Sequence, residues 1–289
     1  MRRTPRSDAV RHPLRTASGF TLIEAVMVIA ITGVVIAVLG RFIVGPVQGY
    51  LGVSARAALA DAADGALRRI GRELHVALPN SARVAASGLA LELIPTTGAA
   101  RYATAGSGAL LFGTLATSFD VVGPPLQLAS GQTLVFYNLG NGIVGSDAYA
   151  ASGTALEQAL SNRRTATNAA GSATTITFAS LAGLPVGAFA APYRVAAVLP
   201  PVTYRCDLAA GTLTRYTGYG FQATQPDPPV GGSSALLASG VTACRFSADA
   251  AAIAARAGLV QMQLTLSATT ATGTEAVTLN HAIHVDNLP

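Results

Sequence analysis

Phe20 begins the apolar run FTLIEAVMVIAITGVVIAVL, which ends at Leu39 and contains a single charged residue, Glu24. About 20 apolar residues in a helix span roughly 30 Å, which is the thickness of a bilayer core. We therefore predict a transmembrane helix over residues 20–40. An acid inside such a helix costs about 2.5–3.5 kcal/mol on insertion scales, so Glu24 requires a compensating partner.

A short basic segment precedes this run. Five arginines lie before Gly19, at Arg2, Arg3, Arg6, Arg11 and Arg15. Basic flanks stay on the cytoplasmic side, so we expect a cytoplasmic N-terminus, one membrane pass and an extracytoplasmic remainder. A secretory signal peptide has a shorter apolar region of about 7–15 residues that ends at an A-x-A-like site. The acid and the length of this run argue against that alternative, and a plain transmembrane anchor stays open.

The sequence Gly19-Phe-Thr-Leu-Ile-Glu24, followed by the apolar run, resembles the N-terminal motif of type IV prepilins and pseudopilins. The resemblance implies that a prepilin peptidase removes residues 1–19 as a basic leader and methylates the new terminal Phe20. Glu24 matches the glutamate that these families carry at the fifth mature position. Its carboxylate is then expected to pair with the α-amine of Phe20, in the same subunit or in a neighbouring one during assembly.

The charge balance excludes several functions. All 19 basic residues are arginine, so a Walker lysine, a Schiff-base lysine and a Ser-Lys dyad are absent from the sequence. Without the leader, 14 arginines face 13 acids, because the leader holds five arginines and Asp8. A nearly neutral chain does not support a nucleic-acid surface built on bulk charge.

Cys206 and Cys244 are the two cysteines of the chain. In an extracytoplasmic compartment we expect them to form a disulfide, although two buried free thiols remain the alternative. A loop of this length makes such a bond worth about 4 kcal/mol in the chain-entropy model. No histidine or second cysteine stands at metal-ligand spacing from either residue, so no metal site is expected.

We expect the helix to continue through residues 41–79 as an amphipathic segment, with weak points at Gly40, Gly45-Pro46, Gly49 and Gly52. Apolar residues recur there at three- and four-residue spacing, and Leu78-Pro79 ends the pattern. The apolar positions are Val53, Ala57, Ala60, Leu67, Ile70, Leu74 and Leu78. The spacing predicts one helix from Phe20 to Leu78 whose second half packs on another layer.

Residues 80–289 are rich in strand and turn signals and predict an extracytoplasmic globular domain. The expected strands are 89–94, 133–137, 174–178, 193–206, 241–247, 259–267 and 275–285. Small-residue stretches near 96–109 and 145–173 are typical of loops. The predicted fold class is α+β, with the amphipathic half of the helix packed on an antiparallel sheet.

The resemblance extends into this domain. The runs Leu78–Val84, Val202–Asp207, Gly211–Arg215 and His284–Pro289 are similar to those of the O-type minor pilins of mannose-sensitive haemagglutinin (MSHA) pili. The same layout is similar to J-type pseudopilins of type II secretion. The resemblance is dense only at the two ends of the chain, and the middle departs from it.

The remaining sequence motifs give only weak evidence of function. The run Gly140-Asn-Gly-Ile-Val-Gly145 matches the dinucleotide fingerprint, but no βαβ pattern surrounds it, and we interpret it as a hairpin loop. His281 and His284 fall on opposite faces of a strand and are not expected to share a metal. We expect His75 to have a packing role. No nucleophile elbow or zinc-helix motif is present in the sequence.

Arg68, Arg69 and Arg72 form a basic group on the amphipathic helix. They could contact an anionic headgroup or DNA. Because Asp64 and Glu73 lie at helical spacing from them, we predict instead a solvated helix face with internal ion pairs.

Together these features predict a non-enzymatic structural protein, a minor pilin or pseudopilin that functions in pilus biogenesis near the filament tip. The expected partners are the prepilin peptidase, the inner-membrane assembly platform with its ATPase, and other major and minor pilins. We expect the inner membrane as its first location and the pilus or pseudopilus as its second, with no cofactor and no nucleic acid bound. A J-type pseudopilin, a tip adhesin or DNA-uptake pilin, and a membrane-tethered enzyme are the alternatives.

Overall fold

The computed structural model describes residues 19–248, 257–270 and 273–288. The expected leader, up to residue 18, lies outside these ranges. The chain divides into two compact units, of which the first ends at Leu51 and the second begins at Gly52. One long helix and several antiparallel sheets make the fold α+β, as predicted.

Helix α1 covers Leu22–His75, slightly less than the predicted 20–78. It continues through Pro46, so the predicted weak point there does not end it. The helix stops at His75 because the next residues bond to a neighbouring segment instead. Val76 accepts a hydrogen bond from the Thr96 amide at 2.9 Å, and the Leu78 amide donates to Ile94 at 2.7 Å.

The strands of the described residues follow in chain order. They are β1 (Arg83–Val84), β2 (Ala90–Leu93), β3 (Thr96–Tyr102), β4 (Ser118–Val122), β5 (Leu126–Leu128), β6 (Thr133–Phe136), β7 (Arg163–Ala166), β8 (Gly171–Ala173), β9 (Thr175–Ala179), β10 (Arg194–Val198), β11 (Val202–Asp207), β12 (Thr212–Thr217), β13 (Ser233–Ser239), β14 (Val241–Ala248), β15 (Ala257–Thr270) and β16 (Gly273–Asp286). A short helix α2 (Ala155–Ala159) and a 3₁₀ turn (Val186–Ala188) complete them.

The strands form two open sheets, a closed barrel and a small ribbon. The five-stranded sheet has the order β1-β2-β11-β12-β13, and the three-stranded sheet has the order β14-β15-β16. The barrel runs β10-β3-β4-β9-β7-β6, and β5 pairs with β8. All of these pairings are antiparallel.

In the second unit, α1 packs through a stripe of small and apolar residues. Ala63, Leu67, Ile70 and Leu74 are almost completely buried, in one cluster with side chains from both open sheets. Each large apolar side chain buried in this way contributes about 1.5–3 kcal/mol. A methyl group at Gly71 would stand 3.3 Å from Ile283 Cδ1, which shows how closely the helix approaches β16.

The solvated face of α1 carries ion pairs, as predicted. Arg68 pairs with Asp64, and Arg69 approaches Glu73 at 3.9 Å, both at a spacing of four residues. Exposed helix pairs of this kind add about 0.3–0.5 kcal/mol each. Glu73 also binds Arg215 of β12 at 3.0 Å, so this acid links the helix to the sheet.

The prediction that 96–109 and 145–173 are loops is wrong, because both stretches contain regular secondary structure. Strand β3 occupies the start of the first stretch, and α2, β7 and β8 lie in the second. The prediction was wrong because the partner of β3 is β10, where Thr96 pairs with Val198. A pairing across so many residues leaves no signal in the local composition.

The barrel has its own core. Its interior holds the buried aromatic side chains Tyr102, Phe119, Phe136 and Phe178, together with Val195 and other aliphatic residues. The rings of Phe119 and Phe136 meet edge to face with centroids 5.9 Å apart. The barrel is thus filled with side chains.

The predicted strand 193–206 is divided into β10 and β11. Pro200 and Pro201 stand between them, and proline has no amide to donate to a sheet. The split has a structural consequence, because β10 belongs to the barrel and β11 to the five-stranded sheet.

The predicted disulfide is present. Cys206 of β11 is bonded to Cys244 of β14. The bond therefore ties the five-stranded sheet to the three-stranded sheet. Cys206 is completely buried in the cluster that also receives α1.

Candidate functional site

The amino-terminal end of α1 is the candidate site. Gly19 and Phe20 precede the helix, and Thr21 occupies its cap position. The carbonyl of Thr21 accepts the amides of Glu24 and Ala25 at 3.1 and 3.2 Å. Its hydroxyl oxygen also accepts the Glu24 amide, at 3.3 Å.

The role of Thr21 was not predicted. A threonine followed three residues later by a glutamate is the sequence signature of a capping box, so the signal was available. The hydroxyl gives the Glu24 amide a second acceptor beside the Thr21 carbonyl and so helps to fix where the helix begins. It also places Glu24 in the first turn, where a negative charge is favourable towards the helix dipole.

The residues after this cap form an apolar surface on all sides of the helix. Every residue from Gly19 to Leu51 is exposed, and the exposed fractions of Phe20 and Leu22 are 74% and 85%. The most apolar 18-residue window of α1 has a mean hydropathy of 2.7 and no buried residue. By length and composition this helix can cross a membrane, and an exposed helix that is apolar all round is typical of a span.

The other predicted site residues lie apart from this end. His281 and His284 lie on β16, where the burial alternates between them as expected for opposite faces. His281 Nε2 stands 3.6 Å from Asp64 Oδ1 on α1. His75 is exposed, so the expected packing role is wrong: as the last residue of the helix it lies beyond the buried stripe.

The segment Gly140–Gly145 lies in the connection between the antiparallel strands β6 and β7, as predicted for a hairpin loop. All three glycines of the fingerprint have positive φ angles, which glycine adopts without strain. The carboxylate of Asp147 accepts the Gly142 amide at 2.8 Å and the Tyr149 amide at 2.8 Å. Asp147 therefore occupies a backbone amide of the glycine-rich loop, Gly142.

The run Leu78–Val84 forms a joint between several parts of the second unit. The Asn80 side chain donates to the carbonyls of Asn138 and Asn287 at 2.9 and 3.1 Å. Asn80 has a φ of 59°, a left-handed conformation that asparagine tolerates better than most residues. The hydroxyl of Tyr149 donates to the Ser81 carbonyl at 2.8 Å.

Arg83 lies at the centre of this joint. Its Nε donates to Glu92, and the side chain of Glu92 is fully buried. Its remaining nitrogens donate to Asn141 and to the carbonyls of Gln222 and Ala223 at 2.7–2.9 Å. The guanidinium also stacks on the Tyr149 ring, 3.6 Å from its centroid.

Burial raises the pKa of the Glu92 carboxyl, although its bonds from Arg83 and Tyr219 oppose the shift. Tyr219 donates to the second oxygen of Glu92 at 2.7 Å, and burial raises the pKa of that phenol as well. Both oxygens of the acid are thus engaged inside the chain. The arrangement is typical of a structural network rather than of an acid poised for proton transfer.

Within residues 19–248, 257–270 and 273–288, no three histidine, cysteine, aspartate or glutamate side chains stand close enough to hold a metal ion. Of the runs that carry the resemblance, Leu78–Val84 forms this joint, Val202–Asp207 is β11, Gly211–Arg215 enters β12, and His284 lies on β16. Arg205, from the run Val202–Asp207, pairs with Asp207 and Asp227 at 3.0 and 2.7 Å.

Comparison with known proteins gives no match. No protein-family model matches the chain, and searches of curated proteins and of solved structures find no significant similarity.

Proposed function

We propose that this chain is a minor pilin or pseudopilin, a structural subunit that functions in the biogenesis of a type IV pilus-like filament. The observation that supports this most is the Gly19-Phe20 junction directly before a capped, exposed and apolar helix with one acid in its first turn. The similarity of the domain runs favours an MSHA-type pilus and a position near the tip, with a J-type pseudopilin as the nearest alternative.

In this proposal the prepilin peptidase cuts after Gly19, and the new α-amine of Phe20 is methylated. The chain is held in the inner membrane by α1, with the residues from Gly52 onward in the periplasm. The assembly platform and its ATPase then transfer it to the filament among other pilins. Glu24 is tolerated in the apolar surroundings because the positive amine of a neighbouring subunit compensates its charge.

Glu24→Val tests the proposed pairing. The variant is expected to be cut after Gly19 but to enter filaments at a strongly reduced level, because the buried amine of a neighbour loses its counter-charge. Incorporation is measured by immunoblotting of sheared filaments. The melting temperature of the unit from Gly52 onward is expected to remain unchanged, since Glu24 is exposed and lies outside that unit.

Two matched variants separate pairing from capping. Glu24→Asp keeps the charge and is expected to restore part of the incorporation. Thr21→Val removes the hydroxyl that caps the helix but keeps Glu24, so it is expected to assemble nearly as the wild type does. If Thr21→Val fails as completely as Glu24→Val, the role of the acid is to start the helix, and the pairing is wrong.

The strands of the barrel lie in the chain between β2 and β11, which are neighbours in the five-stranded sheet. This extra barrel favours a second candidate function, binding at the filament tip. Leu111, Leu115 and Val186 each expose 58–68% of their surface near one connection of the barrel. A Cβ added at Gly113 would lie 3.0 Å from Val186, so Val186 is close to the segment that carries the two leucines. Leu115→Ser with Val186→Ser is expected to abolish attachment and leave filament assembly intact. Equal loss of attachment and assembly would make the barrel a scaffold instead.

A further inference from the structure

The five-stranded sheet has an open edge at β13. This strand pairs with β12 on one side, and among the described residues no strand pairs with its other side. No hydrogen bond in that part of the chain reaches the outer backbone groups of Ser233–Ser239. A row of unpaired amides and carbonyls is complementary to one kind of partner, which is another extended strand.

Natural sheets usually protect such an edge, and β13 carries little of that protection. Its sequence SSALLAS contains no charged residue and no proline. A bulge at Leu237 interrupts the pairing near one end, since Leu213 pairs with Ala238 and Thr214 with Leu236. The stretch Ser233–Leu236 stays regular and exposed, and the Leu236 side chain exposes 61% of its surface.

The edges of the three-stranded sheet are different. Strand β16 carries the charged residues Glu275 and Asp286, and charged side chains on an edge strand discourage pairing. At the opposite end of the five-stranded sheet, β1 has two residues and is covered by the bonds of Arg83 to Gln222 and Ala223. Strand β14, at the other edge of the three-stranded sheet, carries Arg245, and its Phe246 amide donates to the Gly88 carbonyl at 2.8 Å. The edge at β13 therefore lacks the protection that β1, β14 and β16 carry.

An apolar groove continues from the edge of β13. Four residues of α1 form one wall: Ala55, Ala58, Leu59 and Ala62. Leu236, Leu237 and Ala238 form the other wall, and Leu266 and Ala268 of β15 lie beside them. A strand added to β13 would place alternate side chains over this groove, where small apolar residues fit best.

None of the described side chains that line this groove is charged. Two arginines close to the groove are held in ion pairs. Arg215 of β12, which pairs with Ala235 of β13, binds Glu73, and Arg56 on α1 binds Glu275 at 3.1 Å. A charged residue of a partner would find no opposite charge within the groove and would lose hydration there. We propose that β13 accepts an extended, uncharged segment of another protein chain, which adds a strand to the sheet and lays apolar side chains in the groove.

Hydrogen exchange of the full chain in detergent micelles tests the proposal. The probe is the end-blocked peptide Gly-Ser-Val-Thr-Val-Ser-Gly, with a copy whose backbone nitrogens are methylated as the control. Deuterium uptake of the exposed amides in residues 232–240 is expected to slow about tenfold when free peptide is about ten times its Kd, because only the unbound fraction exchanges. The methylated copy is expected to have no effect, since it cannot donate to the edge.

Ser234→Lys is expected to abolish this protection, because a lysine on the edge opposes pairing. Ala276→Lys puts the same side chain on the exposed face of β16 and is expected to keep it. Unchanged exchange with the peptide, or equal protection by the methylated copy, overturns the proposal. Protection without peptide that grows with protein concentration assigns the edge to a second copy of this chain and overturns the proposed partner.

Discussion

Arg83→Ala is expected to lower the free energy of unfolding of the unit from Gly52 onward by about 3–5 kcal/mol, as is usual when one partner of a buried ion pair is removed. The side chain of Glu92 is fully buried and that of Arg83 is 9% exposed, so water does not replace the lost charge. The variant also loses the bonds to Asn141, Gln222 and Ala223. Urea unfolding measures the change.

The pH dependence of this loss has a definite sign. Burial raises the pKa of Glu92 above its ordinary value of 4.5. Without Arg83 this pKa rises further, because the hydrogen bond and the charge of Arg83 no longer lower it and only the bond from Tyr219 remains. The folded state then binds a proton that the unfolded state releases, so stability falls as pH rises from about 4.5 through the folded pKa. The difference between Arg83→Ala and the wild type is therefore expected to be largest at neutral pH and to shrink towards pH 4.

Arg72→Ala is the matched control. Arg72 is an exposed arginine of α1, and its loss is expected to change stability by less than about 0.5 kcal/mol. Equal effects of the two substitutions, or a loss at Arg83 that does not depend on pH, would contradict the role given to the buried pair.

The double variant Cys206→Ala, Cys244→Ala is expected to lose about 4 kcal/mol of unfolding free energy. The sequence separation of 38 residues sets the size of the loop that the bond closes in the unfolded chain. The bond also joins the two open sheets, both of which pack against α1. The measurement is the urea midpoint of oxidised wild type and of the variant.

Reductant serves as the control for this prediction. It is expected to lower the midpoint of the wild type towards that of the variant and to leave the variant unchanged. Alkylation before reduction should label neither cysteine in the native protein. Two free thiols, or a wild-type midpoint that reductant does not move, would refute the stabilising bond.

Continuous patterns allowed the long elements to be predicted from sequence. The apolar run after Phe20 and the stripe through Leu67, Ile70 and Leu74 predicted α1, and long alternating stretches predicted β15 and β16. The end of α1 was placed three residues too late, because bonds between residues 76–78 and the chain around Ile94 replace the last turn.

The barrel and the joint could not be predicted in this way. The first five residues of strand β3 are small, and its partner β10 follows about a hundred residues later, so only the folded chain shows the pairing. Arg83 and Glu92 face each other only in the register of β1 with β2. The capping role of Thr21, by contrast, follows a local rule that the sequence already contained.

The mass of the mature amino-terminal peptide tests the central proposal most directly. If the chain is a processed pilin or pseudopilin, spectrometry of the protein purified from its own membranes will find a terminus at Phe20 that carries one N-methyl group. A terminus at Met1, or one beyond Leu39, contradicts the proposal, because the cut after Gly19 is what creates the amine that Glu24 is proposed to pair with.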